Sequence, residues 1–181
     1  METMNEVPVS AATVTHTTIG SSLGELTVVA QGEAVAGIYF PHHWHLPDQA
    51  SFGEYRDSAP GDVFDDVRRQ LDEYLAGERR DFSLRVEAAG SAFQQRVWDR
   101  LARIPYGTTV TYGELAKELG DGATAQEVGG AVGRNPVSIV IPCHRVVGAN
   151  GALTGYAGGL RRKRALLDLE QDVTGGPTRL F

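Results

Sequence analysis

The sequence predicts an α+β protein in two units: a small N-terminal α/β domain of antiparallel strands plus a helix, and a mostly helical C-terminal domain. The second unit reads as winged-helix-like, with a helix-turn-helix. Three observations point there. Between Val14 and Phe40, β-branched and aromatic residues recur in three short runs parted by glycine-bearing turns. From Ser91 onward, three Ser/Thr-x-x-Gln/Glu patterns each open an apolar stripe, the signature of a capped helix start. The halves also differ in charge: residues 1–90 carry 6 Lys and Arg against 15 Asp and Glu, whereas residues 91–181 carry 11 against 8.

In chain order, residues 1–12 are expected to be mobile and residues 13–88 to form the first domain. Its strands are read at Val14-Thr15-His16-Thr17-Thr18-Ile19, at residues 24–30 and at residues 34–40. Residues 41–61 read as loop. Asp62 then caps a helix with Val63, Val67, Leu71 and Leu75 on one stripe, stopped by Gly77, and residues 82–87 return as a further strand. Ala88-Ala89-Gly90 is the expected hinge.

The second domain is read over residues 91–170. Ser91 and Gln94 open a helix carrying Phe93, Val97 and Leu101, with Trp98 expected in the core. Thr111 and Glu114 open the next, which ends at Gly120, and Thr124 and Glu127 open a third, which ends at Gly133. The last two are short and joined by a tight turn, hence the helix-turn-helix. Gly129 and Gly130 cost the third helix about 1 kcal/mol each in propensity. That cost implies a close approach, either of a neighbouring helix or of a nucleic-acid groove. Residues 171–181 read as a mobile tail.

The chain holds one cysteine, Cys143, within Ile141-Pro142-Cys143-His144-Arg145-Val146. A lone thiol makes no internal disulfide, and no apolar stretch is long enough to cross a bilayer, so a reducing cytoplasm is the expected compartment. An unassisted buried cysteine is inert. Here His144 can take a proton and Arg145 adds positive potential. Neighbours on an extended strand face opposite ways, so a turn at Cys143 or a bridging water is required. The histidine also needs an orienting group: Glu170 is the first candidate, with Asp168 and Glu114 as alternatives.

The run Ile141–Val146, preceded by Gly133-Arg134-Asn135-Pro136 and followed by the segment from Gly155 to Glu170, resembles the active-site region of the O6-methylguanine-DNA methyltransferases, in the short bacterial form. The likeness extends back to Phe93 and is looser before residue 90. It implies direct, stoichiometric transfer of an O6-alkyl group from guanine in DNA, with O4-alkylthymine as a further substrate, onto Cys143. The protein would be consumed in one turnover and would need no cofactor and no metal. The resemblance gives His144 the proton through a water, Glu170 the imidazole, and Tyr112 donation toward the leaving base. It gives Asn135 the turn behind the thiol, and the carbonyls of Cys143 and Val146 with the amide of Ala157 the guanine edge. Tyr156 lies in the same binding loop, and Arg145 is placed with the substrate-binding residues.

The implied partner is double-stranded DNA, entered through the minor groove by Thr124, Ala125, Gln126, Glu127, Gly129, Gly130 and Arg134, with the damaged base flipped out. The protein is expected to be a monomer, with cooperativity along DNA left open, and no membrane partner. One departure stands out. Family members carry Ala-Arg-Ala-Val-Gly where this chain has Ala125-Gln126-Glu127-Val128-Gly129, so the arginine that fills the vacated base position is Gln126 and a small neutral residue is Glu127. This replacement is expected to weaken DNA binding and flipping. A lesion-binding module without transfer and a cysteine hydrolase are the competing readings.

Two other features read as surface. His42, His43 and His45 lack the partners of a metal site and are expected to face solvent. Residues 161–164, Arg-Arg-Lys-Arg, fit either phosphate contact or a solvated helix face.

Overall fold

The computed structural model describes residues 11–174. The expected mobile ends lie largely outside that range, but residues 171–174 do not fit the expected tail, because they continue the last helix. There the Thr174 hydroxyl donates to the carbonyls of Glu170 and Gln171, and Arg80 reaches the Val173 carbonyl.

Strands β1 (Val14–Ile19), β2 (Leu26–Gln31) and β3 (Ala34–Tyr39) form the expected antiparallel meander. A fourth, β4 (Glu54–Tyr55), pairs parallel to β1 inside the segment read as loop, giving the order β3-β2-β1-β4. Two residues carry no periodicity, so only the available edge of β1 makes them a strand. Gly53 permits the join: it has φ 71°, and a Cβ there would collide with the Val14 carbonyl.

Helix α1 (Val63–Leu75) starts at Asp62, whose carboxylate accepts from the Asp65 amide at 2.8 Å. Its buried face is Phe64, Val67, Gln70, Leu71 and Tyr74, rotated from the expected stripe. Positions four apart advance about 400°, so a strict four-residue stripe drifts off the core by roughly 40° per step. Val63 and Leu75 therefore sit at its margins and Tyr74 falls inside.

Residues 82–87 do not form a strand. They make one parallel bridge, in which the Val35 amide donates to the Arg85 carbonyl at 2.8 Å and the Glu87 amide to the Val35 carbonyl at 2.9 Å. Further along the same edge of β3, the Ile38 amide donates to the Pro136 carbonyl at 2.8 Å. Two segments thus share one edge, and neither has room for a ladder.

The second unit holds α2 (Ala92–Leu101), β5 (Val110–Thr111), α3 (Tyr112–Leu119), α4 (Ala125–Gly133), β6 (Val146–Val147) and α5 (Leu160–Thr174). All three capping boxes form as read. Trp98 is core, and its indole N–H donates to the Ala131 carbonyl at 2.9 Å, tying α2 to α4. One contiguous apolar core runs through both units, from Ile19, Val35 and Phe64 to Leu101, Val132 and Leu166.

Candidate active site

Between α4 and the thiol the chain makes turns rather than the short buried run suggested by Val137-Ser138-Ile139-Val140-Ile141. Ile139 stands at φ 71°, unusual for a β-branched residue, while the Val140 amide donates to the Ser138 carbonyl at 2.9 Å. Pro142, at φ −80° and ψ 64°, makes a second tight turn, closed by the Cys143 amide on the Ile141 carbonyl at 2.8 Å. Residues Cys143–Arg145 then wind into a single 3-10 turn. That turn removes the alternation that would have set Cys143 and His144 on opposite faces. Asn135 braces the arrangement: its side-chain amide donates to the Ile141 carbonyl at 2.8 Å, and its carbonyl oxygen accepts from the Val137 amide at 3.0 Å.

His144 and Glu170 are both fully buried, and Nε2 of the histidine lies 2.8 Å from Glu170 Oε1. Burial raises the Glu170 carboxyl, but hydrogen bonds from His144 and Arg145 outweigh it and hold the group down at about 2. A carboxylate only accepts, so Nε2 must carry the proton and Nδ1 the lone pair. Nδ1 is buried and has no hydrogen-bond partner among the described residues. Burial lowers the His144 pKa, against the pull of Glu170. The result is a neutral imidazole with a free basic nitrogen. The alternative orienters are elsewhere: Glu114 accepts from the Thr111 amide at 2.7 Å as the cap of α3, and Asp168 lines a cavity with Leu153 and Arg164.

Cys143 is 3% exposed. Burial pushes its thiol up, while a hydrogen bond from Asn135, the Lys163 ammonium and nearby backbone amides pull it down. Lys163 was not singled out by the sequence, where it sat inside a basic run. It is fully buried, donates to the carbonyls of Thr154 and Gly155 at 3.0 and 3.1 Å, and lies over the Tyr112 ring. Burial lowers its pKa to about 8. Lys163, Leu166, Leu167 and Glu170 share one face of α5, so a lysine at that spacing was the available signal. Arg162 is structural too, donating to the carbonyls of Leu23 and Gly158. Arg161 and Arg164 are exposed.

Arg145, expected with the substrate-binding residues, turns inward. Its guanidinium donates to Glu170 Oε1 and Oε2 at 2.8 to 3.1 Å and to the Ile104 carbonyl at 2.6 Å. It holds the carboxylate. Tyr74 of α1, also missed, donates to Glu170 Oε1 at 2.5 Å.

The remaining candidates border this centre or lie along α4. The Tyr112 hydroxyl donates to the Thr154 carbonyl at 3.3 Å. Tyr156 is buried beside the thiol, its hydroxyl without a regular hydrogen bond. The Ala157 carbonyl accepts from the Trp44 amide at 3.0 Å. Val146 is buried in β6, and its amide closes the 3-10 turn onto the Cys143 carbonyl. On α4, Thr124, Ala125, Gln126 and Glu127 are exposed, as are Gly130 and Arg134. The Glu127 carboxylate folds back to accept from the Thr124 amide and hydroxyl, both at 2.9 Å, and the amide holds it ionised. A Cβ on Gly130 would meet nothing within 4 Å, and one on Gly129 only the Tyr112 ring at ordinary contact distance. No neighbouring helix therefore explains these glycines. His43, expected to face solvent, is buried against Tyr39 and Phe40, whereas His42 and His45 are exposed. Among the described residues no three His, Cys, Asp or Glu side chains cluster as metal ligands, and no helix is long and apolar enough to cross a membrane.

Fold and site together define a class: an α+β protein whose one cysteine follows a helix-turn-helix and adjoins, in sequence, a buried histidine paired with a glutamate. Residues 14–88 match the ribonuclease-like domain of 6-O-methylguanine DNA methyltransferase, and residues 92–172 match the DNA binding domain of the same protein. The chain is 41% identical over 166 residues to a methylated-DNA–protein-cysteine methyltransferase of Mycobacterium bovis, covering 92% of this chain and 98% of that one. A Haemophilus influenzae protein of the same description is 41% identical over 157 residues, 86% of each chain. The crystal structure of Mycobacterium tuberculosis OGT in complex with DNA superposes with a TM-score of 0.80 at 42% identity, over 87% of this chain and 93% of that one. The chain belongs to the 6-O-methylguanine DNA methyltransferase family.

Proposed function

We propose that this protein repairs O6-alkylguanine in duplex DNA by moving the alkyl group to Cys143, once per molecule. The observation that carries the reading is the contact from Glu170 to His144, which leaves a neutral base on the residue next to the single cysteine, within this family's fold. Cys143 gives its proton to His144 Nδ1 through a water, and the thiolate attacks the alkyl carbon. The S–C bond forms as the C–O6 bond breaks, and the electron pair leaves on guanine, which takes up a proton donated by Tyr112. The His144 imidazolium then releases its proton to solvent and Tyr112 regains one from solvent, so the net change is one proton lost by the thiol and one gained by guanine. A thioether has no easy leaving route, so the thiol is not regenerated. O4-alkylthymine fits the same chemistry.

In this reading the base enters from the minor groove, with Thr124, Ala125, Gln126, Glu127, Gly129, Gly130 and Arg134 against the duplex, and the protein acts as a cytoplasmic monomer. The domains operate as residues 13–88 and 91–170. Exposed Gln126 supplies no cation to the vacated base position. Glu127 is different: its charge is turned back on its own helix N-terminus, where the amides partly offset it. Gln126→Arg is therefore expected to raise affinity for an alkylated duplex more than Glu127→Ala does, with free O6-benzylguanine reacting equally in both. Equal duplex affinity in all three proteins would remove the defect assigned to Gln126.

The direct test is intact-protein mass spectrometry after incubation with a duplex containing O6-methylguanine, with Cys143→Ser as control and free O6-benzylguanine in parallel. One methyl on Cys143 is the expected result. A thiol that returns unmodified while product accumulates would indicate a hydrolase, and no adduct from either substrate would leave a lesion-binding module.

A further inference from the structure

Glu170 Oε1 is shared. It receives the Tyr74 hydroxyl at 2.5 Å, His144 Nε2 at 2.8 Å and Arg145 Nη2 at 2.8 Å, while Oε2 takes the Gly107 amide at 3.1 Å and Arg145 Nε at 3.0 Å. Four of these five donors belong to the helical unit that carries the thiol. Tyr74 comes from α1, on the sheet-bearing side, and its hydroxyl also lies 3.4 Å from His144 Nε2. The side chain is fully buried, wedged between the rings of Phe82 and Tyr106.

An oxygen that accepts a short hydrogen bond has less charge to offer its other partners. Were Oε1 relieved of the Tyr74 donor and shared by His144 and Arg145 only, the carboxylate would favour the imidazolium more, and a protonated histidine cannot take the thiol proton. We propose that Tyr74 is a positioning residue for the alkyl transfer: by occupying Glu170 Oε1 together with His144, it keeps the imidazole neutral, with its Nδ1 lone pair free to take the thiol proton. The inference rests on the alkyl-transfer reading above. It gives the N-terminal unit a part in the chemistry besides packing, since the hydroxyl that sets the base is supplied by a helix on the other side of the core.

The charged and titratable groups facing this hydroxyl are Glu170, His144, Arg145, Tyr106 and Tyr156, with Lys163 acting on His144 from α5. Arg145 and Lys163 both disfavour the imidazolium as well. Removing Tyr74's hydroxyl leaves those cations in place, so a displaced limb reports the hydroxyl and not the cations.

The sign follows. Tyr74→Phe returns charge to Oε1, raises the His144 pKa, and moves the acid limb of the reaction, where the base form of His144 is lost, to higher pH. The experiment is the second-order rate of benzyl transfer from free O6-benzylguanine to full-length protein, followed by intact mass from pH 5 to 9. Thermal melting confirms that each variant is folded. The expected result for Tyr74→Phe is an acid limb displaced upward by about half a pH unit or more, which lowers the rate at a fixed pH on that limb by roughly three-fold or more. Replacing Tyr74 by a difluorotyrosine, which keeps the ring and strengthens the donor, is expected to displace the limb downward, and it decides the matter if Tyr74→Phe does not fold. A limb that stays at the wild-type position in the folded variants overturns the positioning role. A wild type that accepts no benzyl group overturns the alkyl-transfer reading, and the positioning role with it.

Discussion

Two histidines are held neutral inside this protein, and that makes its stability sensitive to acid before any carboxylate titrates. Burial lowers both His144 and His43, the latter to about 4. In the unfolded chain each imidazole takes a proton below about pH 6.5, so there the unfolded state binds more protons and stability falls as pH drops. Glu170 adds a second step. Its folded pKa of about 2 lies below the unfolded value of 4.5, so its contribution is complete above pH 4.5 and is lost as pH falls toward 2. That step is worth ~3 kcal/mol. The urea midpoint should hold steady between pH 7 and 8, begin to fall near 6.5, and fall steeply below 4.5. A midpoint unchanged from pH 8 to 5 would mean that both histidines charge as easily folded as unfolded.

Helix α4 carries a cost that packing does not explain. Gly130 has open space where a Cβ would stand, so Gly130→Ala should gain about 1 kcal/mol of helix propensity and raise the melting temperature by roughly 2–4 °C. If the slim face admits a DNA groove, the same variant should lose affinity for duplex while reacting normally with free O6-benzylguanine. Affinity equal to wild type would free this face from that role. The capped starts of α2, α3 and α4 were legible because each is settled within four residues. The two-residue β4 and the lone bridge at Val86 were not, since they exist only where an edge of β1 or β3 is open to them. The site divides the same way. Cys143 and His144 are adjacent in sequence, but the inward turn of Arg145 and the approach of Tyr74 depend on α1 and α5 meeting across the core.

On the scale of the whole molecule, the residue 88–90 boundary is a change of secondary structure without a break in packing. The outer edge of β3 bonds to residues 85–87 and to residues 136–138, so the sheet is completed by the segment that leads into the thiol. Tyr74 and Glu170 join the units again by a buried hydrogen bond, and the apolar core is continuous across both. Separating the units would expose core side chains such as Val35, Ile38 and Phe64 and strand a buried carboxylate with its arginine, a loss comparable to the stability of a domain. Neither unit should therefore survive the unfolding of the other. In a Trp44→Phe background, fluorescence reports Trp98 in the helical unit alone, while far-ultraviolet circular dichroism reports helices and sheet together. The two urea transitions should coincide in midpoint and slope. A fluorescence transition displaced from the dichroism would show that the helical unit, thiol and base included, holds together without the sheet, and Tyr74 could then not be fixed against Glu170 throughout the native state.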